Sequence, residues 1–237
     1  SLFAIKDVAQ EMGMRACLCY EVSDRDGKQK LQESIQENAD FARWAADLRA
    51  VTDAAQLEAF IDKYFVQDMA SRADRFDFAF RELAQSRIQQ YRMRYILAKL
   101  TQFVDEDAWG NPALGNLGHY VAKNVEIEHI LPNTPRPDVR AAFDKPEEYN
   151  AHAERLGNLA LLEKTINCSV SNGSFGEKAP GYRQSAFLLT KSLVEKPQVG
   201  VDTQLNRAVA DLPQFTAWDS AAIAQRQDVL TNLARTV

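Results

Sequence analysis

Glu128 and His129 stand side by side at the end of the apolar run Val125-Glu126-Ile127-Glu128-His129-Ile130-Leu131-Pro132. A neutral imidazole can take a proton from water near pH 7, because its pKa lies close to that pH. A carboxylate at the neighbouring position offers hard oxygen to Mg²⁺ or Mn²⁺. Pro132 restricts the chain as it leaves the run, which would hold the histidine's loop rigid. Downstream, Leu156-Gly157-Asn158-Leu159 and Asn167 place two asparagines nine positions apart. Hydrolysis of a phosphodiester needs a base to activate water and a metal to hold the phosphate. Glu128, His129 and Asn167 could supply both from one small hairpin and helix. Each residue alone has a plainer reading. A histidine at a strand end is commonly structural. Asn158 either bonds its own backbone in a turn or holds the hairpin loop and orients His129 through its amide. Asn167 falls mid-helix, where asparagine is a poor former, and is either an exposed accident or a carbonyl ligand. Lys178 could contact a phosphate or lay its stem along apolar surface.

These residues need elements to position them. Val125 and Ile127 alternate with Glu126 and Glu128, which predicts a strand. Leu159 to Leu162 predicts a second, and Glu163 to Val170 a short helix. Pro146 opens a short helix that Gly157 would end as a C-cap. Pro180-Gly181 is expected to interrupt the helix around Lys178 to Ser185. Upstream, Ile5, Val8, Met12 and Ala16 form one helical stripe, Leu31 to Ala50 another, and Thr52 or Asp53 caps the next helix. Residues 72 to 100 predict the longest helix, with Phe76, Phe80, Leu83, Tyr91 and Tyr95 on its apolar side. From Arg72 to Lys99 it holds seven Lys or Arg against three Asp or Glu, either a solvated face or a phosphate-facing rail. A basic strip would draw on Arg75, Arg87, Arg92, Arg94 and Lys99, joined by Lys164, Lys178 and Arg183. Residues 105 to 120 read as a turn-rich junction, and Thr216 as the cap of a last helix. His119 and His152 read as surface or packing residues.

Composition sets the outer bounds. In 237 residues, 46% are apolar and 26% charged, an ordinary globular balance that allows one large domain or two small ones. No apolar run is long enough to span a membrane, and no signal-peptide pattern opens the chain. Cys17, Cys19 and Cys168 give an odd count without paired spacing, expected of plain thiols in a reducing compartment. A net charge of −5 weighs against a dedicated nucleic-acid binder, yet an enzyme needs only a local positive groove. The chain opens at Ser1 without a methionine, so we expect it to be part of a longer protein.

Residues 121 to 192 resemble the HNH or His-Me-finger nucleases, in which a β-hairpin and a helix clasp one divalent metal. More narrowly, an ordered set is similar to the C-terminal domain of GmrSD-type modification-dependent restriction endonucleases. It comprises Ile127 to Pro132, Leu156 to Leu162, Asn167, Ser171-Asn172, Phe175, Lys178, Tyr182 and Ser185. The closing helix with Trp218, Ile223, Arg226 and Leu230 also fits. The resemblance covers roughly residues 85 to 237. It implies a mainly α fold with a small inserted ββα-metal motif: a helical subdomain at 1–110, the motif at 111–192 and a C-terminal helical segment at 193–237. It implies a DNA endonuclease of a restriction or phage-defence enzyme, dependent on one Mg²⁺ or Mn²⁺. Glu128 and Asn167 would be metal ligands, His129 the general base, and Asn158 the structural member of the set. Asn167 stands where the family's name has a histidine. The substrate would be double-stranded, modified DNA in the bacterial cytoplasm, and a nucleotide-hydrolysing sensor domain would precede this segment. The alternatives are a non-catalytic interaction module that keeps the fold, and an RNase.

Overall fold

The computed structural model describes residues 27–110 and 116–237. The stripe from Ile5 to Ala16, Cys17 and Cys19, and part of the turn-rich junction lie outside them. Among the described residues the fold is mainly helical with one two-stranded sheet. Contacts gather the chain into two units, Ser1–Asp74 and Arg75–Val237. No described helix is long and apolar enough to cross a membrane.

In the first unit, α1 spans Lys28–Leu48 and α2 spans Ala54–Ile61, followed by a π-helical turn at Asp62–Val66. Asp53 caps α2, its carboxylate accepting the Gln56 N–H at 2.8 Å. Trp44 packs among Phe41, Tyr64 and Phe65. Helix α3 follows at Gln67–Arg81, its residues from Arg75 onward belonging to the second unit.

The second unit is organised by the hairpin. In chain order it contains α4 (Gln90–Trp109), α5 (Leu117–Tyr120), β1 (Val125–His129), α6 (Pro137–Ala142), α7 (Tyr149–Ala153) and β2 (Leu159–Glu163). There follow α8 (Lys164–Val170), α9 (Phe175–Gln184), α10 (Leu188–Lys191), α11 (Gln204–Ala208) and α12 (Ser220–Ala234). β1 and β2 pair antiparallel, Val125 opposite Glu163 and His129 opposite Leu159. Side chains alternate across a strand, and β2 uses both faces for burial. Leu159 and Leu161 enter a core with Met93, Leu97, Leu100 and Val104 of α4, while Ala160 and Leu162 enter a second core with Ile130, Tyr182, Trp218 and Ile223. Each fully buried leucine stabilises the fold by roughly 1.5–3 kcal/mol. Helix α4, read from sequence as part of the N-terminal subdomain, thus shares its core with the hairpin.

Several local expectations change. The single helix over 72–100 is two, α3 and α4. Between them Ala84 is extended and bridges Arg155, and Gln85–Arg87 form a 3₁₀ turn. The apolar stripe of Phe76, Phe80 and Leu83 lapses at Arg87 and Gln90, so nothing rewards helix there, and the Gln227 amide donates to the freed carbonyls of Phe80 and Leu83. Tyr91 and Tyr95, expected on the apolar side, are exposed, and Met93 and Leu97 face the core instead.

Helix α7 ends at Ala153 rather than Gly157. Gly157 lies in a 3₁₀ turn at Leu156–Asn158, where a Cβ would sit 2.3 Å from the Ile223 carbonyl oxygen. It is glycine for close approach, not for a left-handed cap. Pro180 does not interrupt α9. Its missing N–H forfeits one bond, to Gly176, which has open space around it. A capping box between Ser174 and Glu177 fixes the start of this helix, and Gly181 lets it lie against Val170, whose Cγ1 a Cβ would meet at 2.3 Å. Asp219, not Thr216, caps α12.

Candidate active site

The pleat of β1 sends Glu126 and Glu128 to one face and Ile127 and His129 to the other. Two helices cover the acidic face. From α8, Asn167 Nδ2 donates to Glu126 Oε2 at 2.8 Å, and Lys164 lies 3.5 Å from Glu126 Oε1. From α9, Lys178 and Tyr182, four apart and so on one side of the helix, both reach Glu128 Oε1, at 2.6 and 2.7 Å. Lys178 Nζ also donates to the His129 carbonyl at 2.7 Å. On the other face His129 Nε2 meets Gln85 Oε1 at 2.8 Å.

The hairpin corner is fixed by Asn158. Its Oδ1 accepts the Leu131 N–H at 2.7 Å and the Trp218 indole N–H at 2.8 Å, and its Nδ2 donates to Leu131 O and Ala153 O at 2.9 and 2.8 Å. The backbone bond Ile130 N to Asn158 O, 3.0 Å, closes the same turn. Asn158 therefore holds the loop after His129 through Leu131. The expectation that its amide would orient the imidazole directly is corrected: its capacity is spent on the backbone and Trp218. From α12, Arg226 donates to the carbonyls of Gly157 and Leu159 at 2.7 and 2.6 Å, and Gln227 accepts the Gly157 N–H at 2.5 Å.

A cleft of about 220 Å³ opens at the end of β1, lined by Glu128, His129, Asn133, Asn167, Asn172 and Lys178 among others. Burial, and then the Lys178 charge, pull the His129 imidazole below its ordinary value, so the neutral form dominates at pH 7. Burial also pulls the Lys178 ammonium down, against the opposing pull of Glu128. Burial and the Glu128 carboxylate drive the Tyr182 hydroxyl well up, which keeps it a donor.

His129, Glu128 and Asn167 are thus brought to one cleft. Lys178, expected to meet a phosphate, is 1% exposed and committed to Glu128. Lys164 and Arg183 are exposed cations, the first beside Glu126 and the second 3.7 Å from Glu195. Of the expected basic strip, Arg94 is diverted to the structure: it donates to the carbonyls of Ala122, at 2.7 Å, and Val125. Arg87 pairs with Glu82. His119 packs edge-on to Tyr120 and Phe187, and His152 is buried against Phe143 beside Glu148. Cys168 is free and exposed.

Both bonds to Glu128 fall on Oε1, and the one side-chain bond of Asn167 is made by its nitrogen. Glu128 Oε2 and Asn167 Oδ1 remain as hard donors. Among the described residues no group of three His, Cys, Asp or Glu gathers as a metal cluster. A divalent ion that keeps several waters and a substrate phosphate needs only one or two protein ligands, so this oxygen pair fits such an ion. Sequence reasoning missed two members of the site. Glu126 was legible as the residue two before Glu128 on the same face. Gln85 was hidden by the helix expected through it.

The model of the GmrSD restriction endonucleases, C-terminal domain, matches residues 70–233, well over half of the chain. No curated protein and no solved structure matches it.

Proposed function

This chain belongs to the GmrSD restriction endonuclease family, and from that premise we propose that it hydrolyses DNA phosphodiesters at the cleft beside His129, as an HNH or His-Me-finger endonuclease. In this reading β1, β2 and α8 make the ββα unit. His129 accepts the proton of the attacking water, and burial, with the Lys178 charge beside it, keeps it neutral and ready to do so. Glu128, through Oε2, and Asn167, through its carbonyl oxygen, hold one Mg²⁺ or Mn²⁺. Such an ion supplies charge neutralisation at the scissile phosphate and the departing oxygen. Asn158 keeps the loop from His129 to Pro132 in place. Lys164 and Arg183 contact flanking phosphates. The substrate we propose is double-stranded, modified DNA in the bacterial cytoplasm, selected by a nucleotide-hydrolysing domain outside this segment.

The observation that carries the reading is one cleft lined by His129, Glu128 and Asn167, the last two each with a side-chain oxygen that accepts no hydrogen bond. The test is nicking of supercoiled plasmid with Mg²⁺, Mn²⁺ or EDTA. Nicked circles with either ion, none with EDTA and none with His129→Ala are expected. Intact plasmid under every condition would remove the proposal.

One observation favours a second reading. The Lys178 ammonium already sits 2.6 Å from Glu128, neutralising the carboxylate internally as a non-catalytic interaction module would. Salt-sensitive duplex binding without cleavage in any metal supports that alternative. A labelled RNA in the same assay tests the RNase reading.

A further inference from the structure

We propose that Gln85 is the positioning residue for His129: its carbonyl oxygen holds the neutral ring as the Nε2–H tautomer, leaving Nδ1 as the nitrogen that accepts a proton. The inference rests on the reading of His129 as general base. A carbonyl oxygen carries no hydrogen, so in the 2.8 Å contact the imidazole must donate. A ring with its hydrogen on Nδ1 would face Oε1 with a lone pair and lose the bond. A bond made by one ring nitrogen sets the role of the other.

Gln85 is itself held from several sides. Its N–H donates to Glu154 O at 2.7 Å, Leu156 N donates to Leu83 O at 3.0 Å, and Ala84 bridges Arg155. Arg155 Nη2 donates to Arg81 O at 3.0 Å, and Gln227 bonds the carbonyls of Phe80 and Leu83. The interruption between α3 and α4 thus has a product. It brings a side chain 44 residues upstream of His129 to the ring and anchors it through backbone bonds that a side-chain substitution leaves in place.

The test compares Gln85→Met, which keeps length without the acceptor, with Gln85→Glu, which keeps an acceptor. Histidine ¹⁵N spectra of the metal-free chain report the tautomer. Only three histidines occur, and His129→Ala identifies the signal by its loss. The parent and Gln85→Glu are expected to show a protonated Nε2 and a bare Nδ1, and Gln85→Met a mixture of tautomers. In plasmid nicking, Gln85→Met should lower kcat by about 10- to 100-fold, the usual effect of losing a partner that orients a functional histidine, with KM little changed, and Gln85→Glu should restore most of it. A single Nε2–H tautomer in Gln85→Met, or a parental kcat there while His129→Ala is inactive, overturns the inference. A parent that does not nick at all overturns the proposed function instead, and the spectra still decide Gln85.

Discussion

Asn158 and Asn167 flank β2, and their surroundings differ in kind. At the hairpin corner Asn158 is fully buried and makes four side-chain bonds, two as acceptor and two as donor. On α8, Asn167 is partly exposed and makes one, with its nitrogen. An asparagine amide offers two donors and two acceptor sites. The corner has spent all of them on folding, whereas the helix has kept its oxygen for something else. Residue type and spacing make the two look like a matched pair, and only the hydrogen-bond count separates the amide spent on the fold from the one with an oxygen to spare.

The comparison is broken most directly at the corner. Asn158→Ala leaves the Leu131 N–H, the Trp218 indole and two carbonyls without partners. At ~1–3 kcal/mol for each buried unsatisfied group, partly relieved by relaxation, the loss should be about 4 kcal/mol of unfolding free energy. Urea denaturation measures it, and a change below about 1 kcal/mol would show that the corner holds without its amide. His129→Ala should do the reverse, costing ~10²- to 10⁴-fold in nicking rate with the urea midpoint nearly unmoved. Parental nicking by that variant would remove His129 as base.

The pH profile sharpens the site's side of the comparison. The base must be neutral, and the His129 pKa is lowered by burial and by Lys178. Activity should therefore rise with pH along a limb whose midpoint lies below 6.5, the ordinary histidine value. An acid limb centred above 6.5 would place the titrating group elsewhere. The smallest stability effect belongs to Asn167→Ala. Alanine is the better helix former by up to ~0.7 kcal/mol, so the fold should hold or gain slightly, while the Mg²⁺ concentration for half-maximal nicking rises. An unchanged metal titration would return Asn167 to the status of a bystander.

Much of the hairpin was legible because strands declare themselves locally. Val125 and Ile127 against Glu126 and Glu128, and the wholly apolar Leu159 to Leu162, fixed both strands to within a residue. The helix after them and the pairing of His129 with an acidic neighbour were equally local. What escaped was set by tertiary contact. The break at Gln85 carries no glycine or proline. It exists because Ala84 pairs with Arg155 and because Gln227 serves carbonyls that a continuous helix would have used. Gly157 looked like a cap, and only the Ile223 carbonyl reveals why it must be bare. Lys178 looked like a phosphate contact because nothing in a sequence shows that its carboxylate partner lies fifty residues upstream.

The strand β2 lends one leucine pair to the core around α4 and an alanine and leucine to the core around Trp218. A party wall of this sort cannot be vacated by one tenant. If either side loosens, the other loses its lining, so the two cores should open as one cooperative event and not in sequence. The amide hydrogens of Leu159 to Leu162 would then exchange only when the whole unit from Arg75 onward unfolds. The hairpin, although small, carries the kinetic persistence of the entire domain, and the loop after His129 has no cheap route to local melting.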